Sequence, residues 1–401
     1  MASKSPFLPA VAHCLMTFHY TRTLGNRSPH PYQTILCYSR SSIRAISSSG
    51  KDELFAGRRH SGKGNLVIKP ILISRKERLL GDISISNLQI SLKEFHRNGL
   101  VIVENAVNEG PLNHIHERML QDVPKNLALP NVHFNHGKAH KNVSQNLPLE
   151  KEYLHKEVWA NRFAVTIMEH IIGPRPQLSF AKSNIALPGG QGRQAVHSDY
   201  YCEHLDFPVF IEVCIFLDDV SSVNGSTELW LGTHEGYNKG DHAFVDMGWI
   251  KREVFSERAK ICPPFQPIIK KGSICIRDIR LWHAGMPNFS SVPRIMLGFL
   301  YSPRWFASRM RLRFPRDARA TINSWDHIDC MSVADFTDLS FNYLHLCQEL
   351  NLTHRDYEDD SKYIPRHGST AATPEHYWSP ENECDDPNSI ISTKSSQSIR
   401  N

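Results

Sequence analysis

The first 51 residues contain no aspartate or glutamate, yet they hold six basic residues, Lys4, Arg22, Arg27, Arg40, Arg44 and Lys51. The formal charge of the whole chain is only +5, so the rest of it sums to −1. Such a body lacks the basic excess that gripping a phosphate backbone requires, which argues against a nucleic-acid partner. No run approaches the roughly 18 consecutive apolar residues of a spanning helix, so no membrane partner is expected. The nine cysteines lie scattered from Cys14 to Cys384 without a CxxC or a paired spacing. An odd, dispersed set reads as reduced thiols in an intracellular, cytoplasmic protein rather than as a disulfide framework. Regular strand–helix alternation is missing too, which removes the parallel α/β folds.

What is present reads as a globular protein: 401 residues, 40% hydrophobic and 22% charged, enough for one large domain or two ordinary ones. Residues 1–84 differ in texture from the rest. "YSRSSIRAISSSGK" is Ser- and Arg-rich, and the segment reads as a disordered or misannotated extension, with a mitochondrial presequence as the alternative reading. Order is expected from about residue 85. In "SLKEFHRNG", Ser91 and Glu94 have capping-box spacing and Gly99 marks a helix end; "LVIVENAV" follows as a strand. The period of residues 156–172 predicts one helix with Val158, Trp159, Phe163, Ile167 and Ile171 on one face. Then "QLSFAKSNIAL", "PVFIEVCIFL", "STELWLG", "FQPIIKKGSICIRD" and "PRIMLGFLY" are short β-rich runs between turn residues. Helices followed by many strands predict a mainly β protein with flanking helices, folded over 85–365, with a loose polar tail over 366–401.

Within that region "QAVHSDYY" (194–201) places His197 and Asp199 two apart. If the segment is extended, both side chains point the same way and could share a metal ion or form a hydrogen-bonded pair. A third ligand must come from a distant strand, and "LWHAGMPNFSSVPR" (281–294) offers His283. Two histidines and one carboxylate with open positions make the facial set of non-haem Fe(II) oxygenases. Arg294, at the start of the next strand, has the planar fork that binds a carboxylate in two-point fashion.

These stretches resemble the phytanoyl-CoA dioxygenase family of Fe(II)- and 2-oxoglutarate-dependent oxygenases. "QAVHSD" (194–199), "NGSTELWLGTH" (224–234), "LWHAGMPNFSSVPR" (281–294) and the opening "EFHRNGLVIVENAV" (94–107) follow the family's motifs in order. The resemblance implies a double-stranded β-helix of jelly-roll or cupin-like type, with His197, Asp199 and His283 as iron ligands and Arg294 on the far carboxylate of 2-oxoglutarate. Gln194 and Thr227 match positions that help hold co-substrate or substrate. There are departures: Ser198 replaces a common arginine, Trp230-Leu231 a frequent Val-Pro, and Gly285 cannot supply a hydroxyl found in some relatives. His234 reads as bonding a loop carbonyl rather than metal.

The implied reaction uses Fe(II), 2-oxoglutarate and O2, releases succinate and oxidises an unactivated C–H bond. Halogenating relatives lack the carboxylate, so Asp199 favours hydroxylation, desaturation or oxidative rearrangement. Tyr200, Tyr201, Trp230 and Trp305 are candidates for the substrate pocket, each equally able to fill the core. Phe207, Phe210, Phe216 and Trp305 suit an apolar small molecule, hence a role in specialised-metabolite biosynthesis. An acyl-CoA hydroxylase of lipid catabolism, a non-redox metal enzyme and a non-catalytic binding barrel are the alternatives, and a homodimer is left open.

Overall fold

Between residues 177 and 302 apolar side chains recur at alternate positions, so each strand turns one face to a dry core and keeps the other for different use. The computed structural model describes residues 68–199, 204–244, 247–306, 310–338 and 342–346. The chain divides after Ala56, and every described residue belongs to the second unit, Gly57–Asn401.

The described chain opens with β1 (Ile71–Leu72), α1 (Arg75–Leu80), α2 (Ile85–Asn98), β2 (Leu100–Glu104) and α3 (Glu109–Leu127). β3 (Asn142–Gln145), α4 (Lys156–Trp159) and α5 (Arg162–Ile172) lead into the long strand β4 (Gln177–Ala186). β5 (Ile211–Phe216), β6 (Glu228–Leu229), β7 (His242–Phe244), β8 (Met247–Ile250) and α6 (Arg252–Ile261) follow. The barrel closes with β9 (Ile274–Asp278), β10 (His283–Ala284) and β11 (Arg294–Ser302), after which come β12 (Leu312–Pro315), α7 (Arg319–Asn323) and β13 (Ala334–Thr337).

Seven strands form the large sheet in the order β1-β2-β9-β5-β11-β4-β3. Opposite it, β10 pairs with β6, and bridges at His197, Trp249 and Phe265 widen that pair into a second, smaller sheet. From β4 the chain crosses to His197, returns for β5, crosses for β6 and Phe265, returns for β9, crosses for β10 and ends in β11. That alternation between two facing sheets is a double-stranded β-helix. On its outer face the large sheet presents Ala181, Ile185, Val213, Ile215, Ile276, Leu297 and Phe299 to one hydrophobic core shared with α3 and α5. Trp159 anchors it, edge-on to Phe299 at 5.2 Å, while the Tyr301 hydroxyl donates to the Trp159 carbonyl at 2.8 Å. The inner face of the same strands is left to line a cavity.

Three expectations move. The helix over 156–172 is two helices, because the Asn161 side chain accepts from the amides of Phe163 and Ala164 and starts α5 afresh. The helix expected to start at Ser91 begins at Ile85 behind Ser84; Ser91 lies inside it, donating to the Asn87 carbonyl at 2.7 Å. Gly99 does end this helix, in the left-handed conformation. The folded body also starts before residue 85: β1 pairs parallel with β2, Ile71 and Ile73 are buried, and the capping box is Ser74 with Glu77. At the other end the Asn146 amide donates to the carbonyls of Tyr343, Leu344 and Leu346, holding that segment against the sheet edge. The tail expected over 366–401 lies outside the described residues. Among the described residues no helix is long and apolar enough to cross a membrane.

Ile73 is fully buried, so Ile73→Ala is expected to cost about 2–5 kcal/mol in urea unfolding. An unchanged midpoint would mean that the segment before α1 does not pack on the body.

Candidate metal centre

His197 and His283 are 86 positions apart in sequence and directly opposite in space. Each amide donates to the other's carbonyl, at 2.9 and 2.8 Å, a closely bonded antiparallel pair that brings the two rings to 4.2 Å between centroids. Asp199, two residues on, points to the same side, and its own amide donates to the Ile279 carbonyl at 3.0 Å. Asp199 Oδ1 lies 3.8 Å from His197 Nε2 and Oδ2 lies 3.4 Å from His283 Nε2. One donor atom from each of the three falls within 4.8 Å of the others.

The histidines are oriented for this. His197 Nδ1 lies 2.8 Å from the Ala195 carbonyl and His283 Nδ1 3.1 Å from that of Leu281. With the proton on Nδ1 of His197 the Ala195 carbonyl is satisfied and the Nε2 lone pair faces Asp199, as a metal requires, while His283 Nδ1 lies between the Leu281 carbonyl and an Arg277 nitrogen at 2.9 Å. Burial disfavours the charged form of both rings and lowers their pKa, with Arg277 adding to the effect at His283. Burial works against ionising Asp199, but His283, Arg277 and His197 outweigh it and hold the carboxyl well below the ordinary range. Neutral imidazoles around an ionised carboxylate are the protonation states of a ready ligand set. The residues present therefore fit a divalent metal.

Arg294 opens β11 in the same cavity and is buried. Its Nη2 donates to the Gly225 carbonyl at 2.7 Å, while Nη1 is buried without a partner. Burial brings its pKa down to about 10, partly opposed by Cys214 and Asp218. The Asn224-Gly225 turn that receives it needs a glycine: φ is +79° and a Cβ would stand 2.8 Å from the Met286 carbonyl. Asn288 fixes the loop between His283 and Arg294, its amide donating to the carbonyls of Ala186 and Val292. Gln194 braces the same loop by accepting from the Gly285 amide at 2.9 Å. A Cβ on Gly285 would stand 2.3 Å from the Gln194 amide oxygen, so a larger residue there would displace Gln194 from its bond to the Gly285 amide.

The cavity measures about 770 Å³ and holds His197, Asp199, His283, Arg294, Gln194 and Thr227 together. Trp230 lies elsewhere, in the core beside Phe255, with its indole N–H on Glu228. Trp305 is 57% exposed and does not line the cavity, and of the phenylalanines expected there only Phe216 does; Phe210 is core and Phe207 is exposed. Tyr200 and Tyr201 lie outside the described residues. His234 meets the His96 carbonyl at 3.1 Å, a structural contact. Arg277 and Glu212, which the motifs do not include, also face the cavity. Their signal was one charged residue at an inward position in each of two otherwise apolar strands, "SICIRD" and "PVFIEVCIFL", since a buried charge needs a partner.

Burial also lowers the pKa of His133, His136, His234 and His242, the last to about 4 from an ordinary 6.5. The folded state thus keeps neutral imidazoles that the unfolded chain protonates, so stability present above pH 6.5 is lost as pH falls towards 4. His242 alone accounts for on the order of 2 kcal/mol of that loss. Urea midpoints measured from pH 7 to 4.5 should fall, and His242→Gln should fall less steeply; parallel slopes would remove His242 from the explanation.

A probable alpha-ketoglutarate-dependent hypophosphite dioxygenase of Stutzerimonas stutzeri is 26% identical over 147 residues, 35% of this chain and 51% of that protein. The chain thus spans about half the length of this curated relative. Among solved structures, the non-heme alpha-ketoglutarate-dependent epimerase SnoN from nogalamycin biosynthesis aligns at a TM-score of 0.43 and 14% identity, over 55% of this chain and 82% of its own. EctD from S. alaskensis with 2-oxoglutarate and 5-hydroxyectoine aligns at 0.44 and 14%, over 57% and 79%. The family model for phytanoyl-CoA dioxygenase (PhyH) matches residues 95–296, half of the chain and the stretch that carries every residue of the centre. The protein belongs to the phytanoyl-CoA dioxygenase family.

Proposed function

We propose that the protein is an Fe(II)- and 2-oxoglutarate-dependent oxygenase, with His197, Asp199 and His283 as the iron ligands and Arg294 as the anchor of the co-substrate. The observation that carries this reading is the buried Arg294 fork, one nitrogen unpartnered, facing the same cavity as the three ligand side chains. A guanidinium buried without a carboxylate is costly to the fold unless an anion joins it. The far carboxylate of 2-oxoglutarate supplies that anion and accepts the fork's charge-assisted hydrogen bonds. Bound iron, with 2-oxoglutarate and O2, would supply an oxidant able to take hydrogen from an unactivated C–H bond, the 2-oxo acid being converted to succinate and CO2.

The chain's own residues prepare the place for that chemistry. Phe216, Leu229, Ile279, Met296 and Leu300 line the reaction end and limit water there. His136 packs on His197, 4.3 Å between centroids, and burial keeps its imidazole neutral beside the ligands. The lining also carries polar groups, Asn135, Asn142, Asn146, Asn184, Ser144 and Lys182. The buried side-chain oxygens of Asn142, Asn146 and Asn184 have no partner among the described residues, and a wholly apolar substrate would leave them so. The substrate fitting this cavity is a small molecule with both an apolar part and hydrogen-bonding groups, as specialised metabolites commonly have. Four cysteines, Cys214, Cys262, Cys275 and Cys330, are free thiols, which suits a reducing intracellular compartment.

Replacing Arg294 separates charge from shape. Arg294→Lys keeps the charge and loses the fork; Arg294→Ala loses both. Affinity of the anaerobic Fe(II) protein for 2-oxoglutarate, followed by its charge-transfer absorption, should fall in the order Arg, Lys, Ala. The loss at Ala should be about 30- to 1000-fold, with Fe(II) affinity nearly unchanged. An unchanged dissociation constant in Arg294→Ala would place the anchor elsewhere.

A further inference from the structure

Arg277 is the charged residue closest to the ligand set that no motif assigns. It lies on β9 directly opposite Glu212 on β5, so the sheet register makes them a cross-strand pair on the cavity face. Its Nη2 contacts a Glu212 carboxylate oxygen and, at 2.7 Å, Asp199 Oδ2. Its Nη1 lies 2.9 Å from His283 Nδ1. The guanidinium is buried and touches two of the three ligand residues.

We propose that Arg277 is a positioning residue that occupies Oδ2 of Asp199 and so leaves Oδ1 as the carboxylate's free donor, with Glu212 holding Arg277 in place. The proposal rests on the reading of His197, Asp199 and His283 as a metal site. A carboxylate can bind a metal through one oxygen or both, and the difference is one coordination position. A 2-oxo acid that chelates needs two positions and O2 needs another, so a six-coordinate ion with three protein ligands has none to spare. The charge-assisted bond from Nη2 to Oδ2 competes with the second Asp199 contact and keeps that position open. Glu212 is needed for a separate reason. A lone buried guanidinium beside a divalent cation would repel it, whereas a pair with Glu212 is close to neutral. The nearest inward neighbours of the pair along β5 and β9, Cys214, Phe216 and Cys275, carry no charge, so the two are each other's partners within those strands.

Cobalt(II) tests this without turnover, because its visible d–d absorption reports coordination number. The metal-free protein is titrated with Co(II), then with 2-oxoglutarate, in wild type, Arg277→Lys, Arg277→Met and the double variant Arg277→Met/Glu212→Gln. Wild type should bind one Co(II). Arg277→Met should still bind Co(II), but with altered d–d bands and a 2-oxoglutarate affinity lower by about 10- to 100-fold. Arg277→Lys, which keeps one donor near Oδ2, should recover part of both. If Arg277→Met fails to fold because Glu212 is left unpaired, the double variant removes both charges and must show the same altered bands. A spectrum and affinity identical to wild type in the folded variants would make the pair purely structural and overturn the proposal. Absence of Co(II) binding in the wild type would instead overturn the metal site on which it rests.

Discussion

The paired backbone hydrogen bonds between His197 and His283 are the constraint on which the rest depends. They join the first and last segments of the smaller sheet, and by doing so they close the barrel and set the spacing of the two imidazoles in one act. Asp199 then falls into place because side chains alternate along an extended chain. Nothing flexible intervenes between the backbone ladder and the ligand atoms. A site built on strands rather than on a loop keeps its geometry whether or not a metal is present.

Around that pair the inner face of the large sheet carries an unusual load of charge. Arg277, Glu212 and Asp199 form a connected set, and Arg294 stands apart with its fork incompletely satisfied. The two arginines differ in what they await. Arg277 is already balanced by carboxylates of the chain, so it shapes the ligand set. Arg294 has only backbone carbonyls as partners among the described residues, and the proposed reading completes it with an anion brought from outside. The outer face of the same strands is apolar and dry, packed against α3 and α5. That division lets the sheet tolerate its polar side: the core supplies the burial energy, and the cavity face is free to hold groups that cost stability.

The three residues of the candidate metal centre and Arg294 were legible because their signal is local: two ligand types at strand spacing, then a histidine and an arginine in a compact block. Arg277 and Glu212 were not read, since each is one residue in an apolar strand and only the register places them opposite each other. The substrate side was read too simply. Phe207, Phe210 and Trp305 are aromatic like Phe216, and composition alone cannot say which of them the barrel turns inward. The asparagines that line the cavity come from β3, β4 and the loops beside them, and uncharged polar residues there carry no periodic or charge signal. Helix ends were misplaced for a physical reason. Ser91 with Glu94 and Ser84 with Asn87 both look like starts, and the choice lies with the tertiary packing of β1 under α2. Asn161 broke a periodic apolar pattern because a cap overrides a periodicity that continues through it.

The central claim is that His197, Asp199 and His283 hold a metal in the cavity that Arg294 faces. Anomalous scattering from a crystal of the Mn(II)- and 2-oxoglutarate-loaded protein, grown without oxygen, addresses it most directly. The account predicts one strong anomalous peak within bonding distance of His197 Nε2, His283 Nε2 and an Asp199 oxygen, with the far carboxylate of 2-oxoglutarate on Arg294. A metal bound at other residues, or these three side chains hydrogen-bonded to one another beside an empty centre, would contradict it.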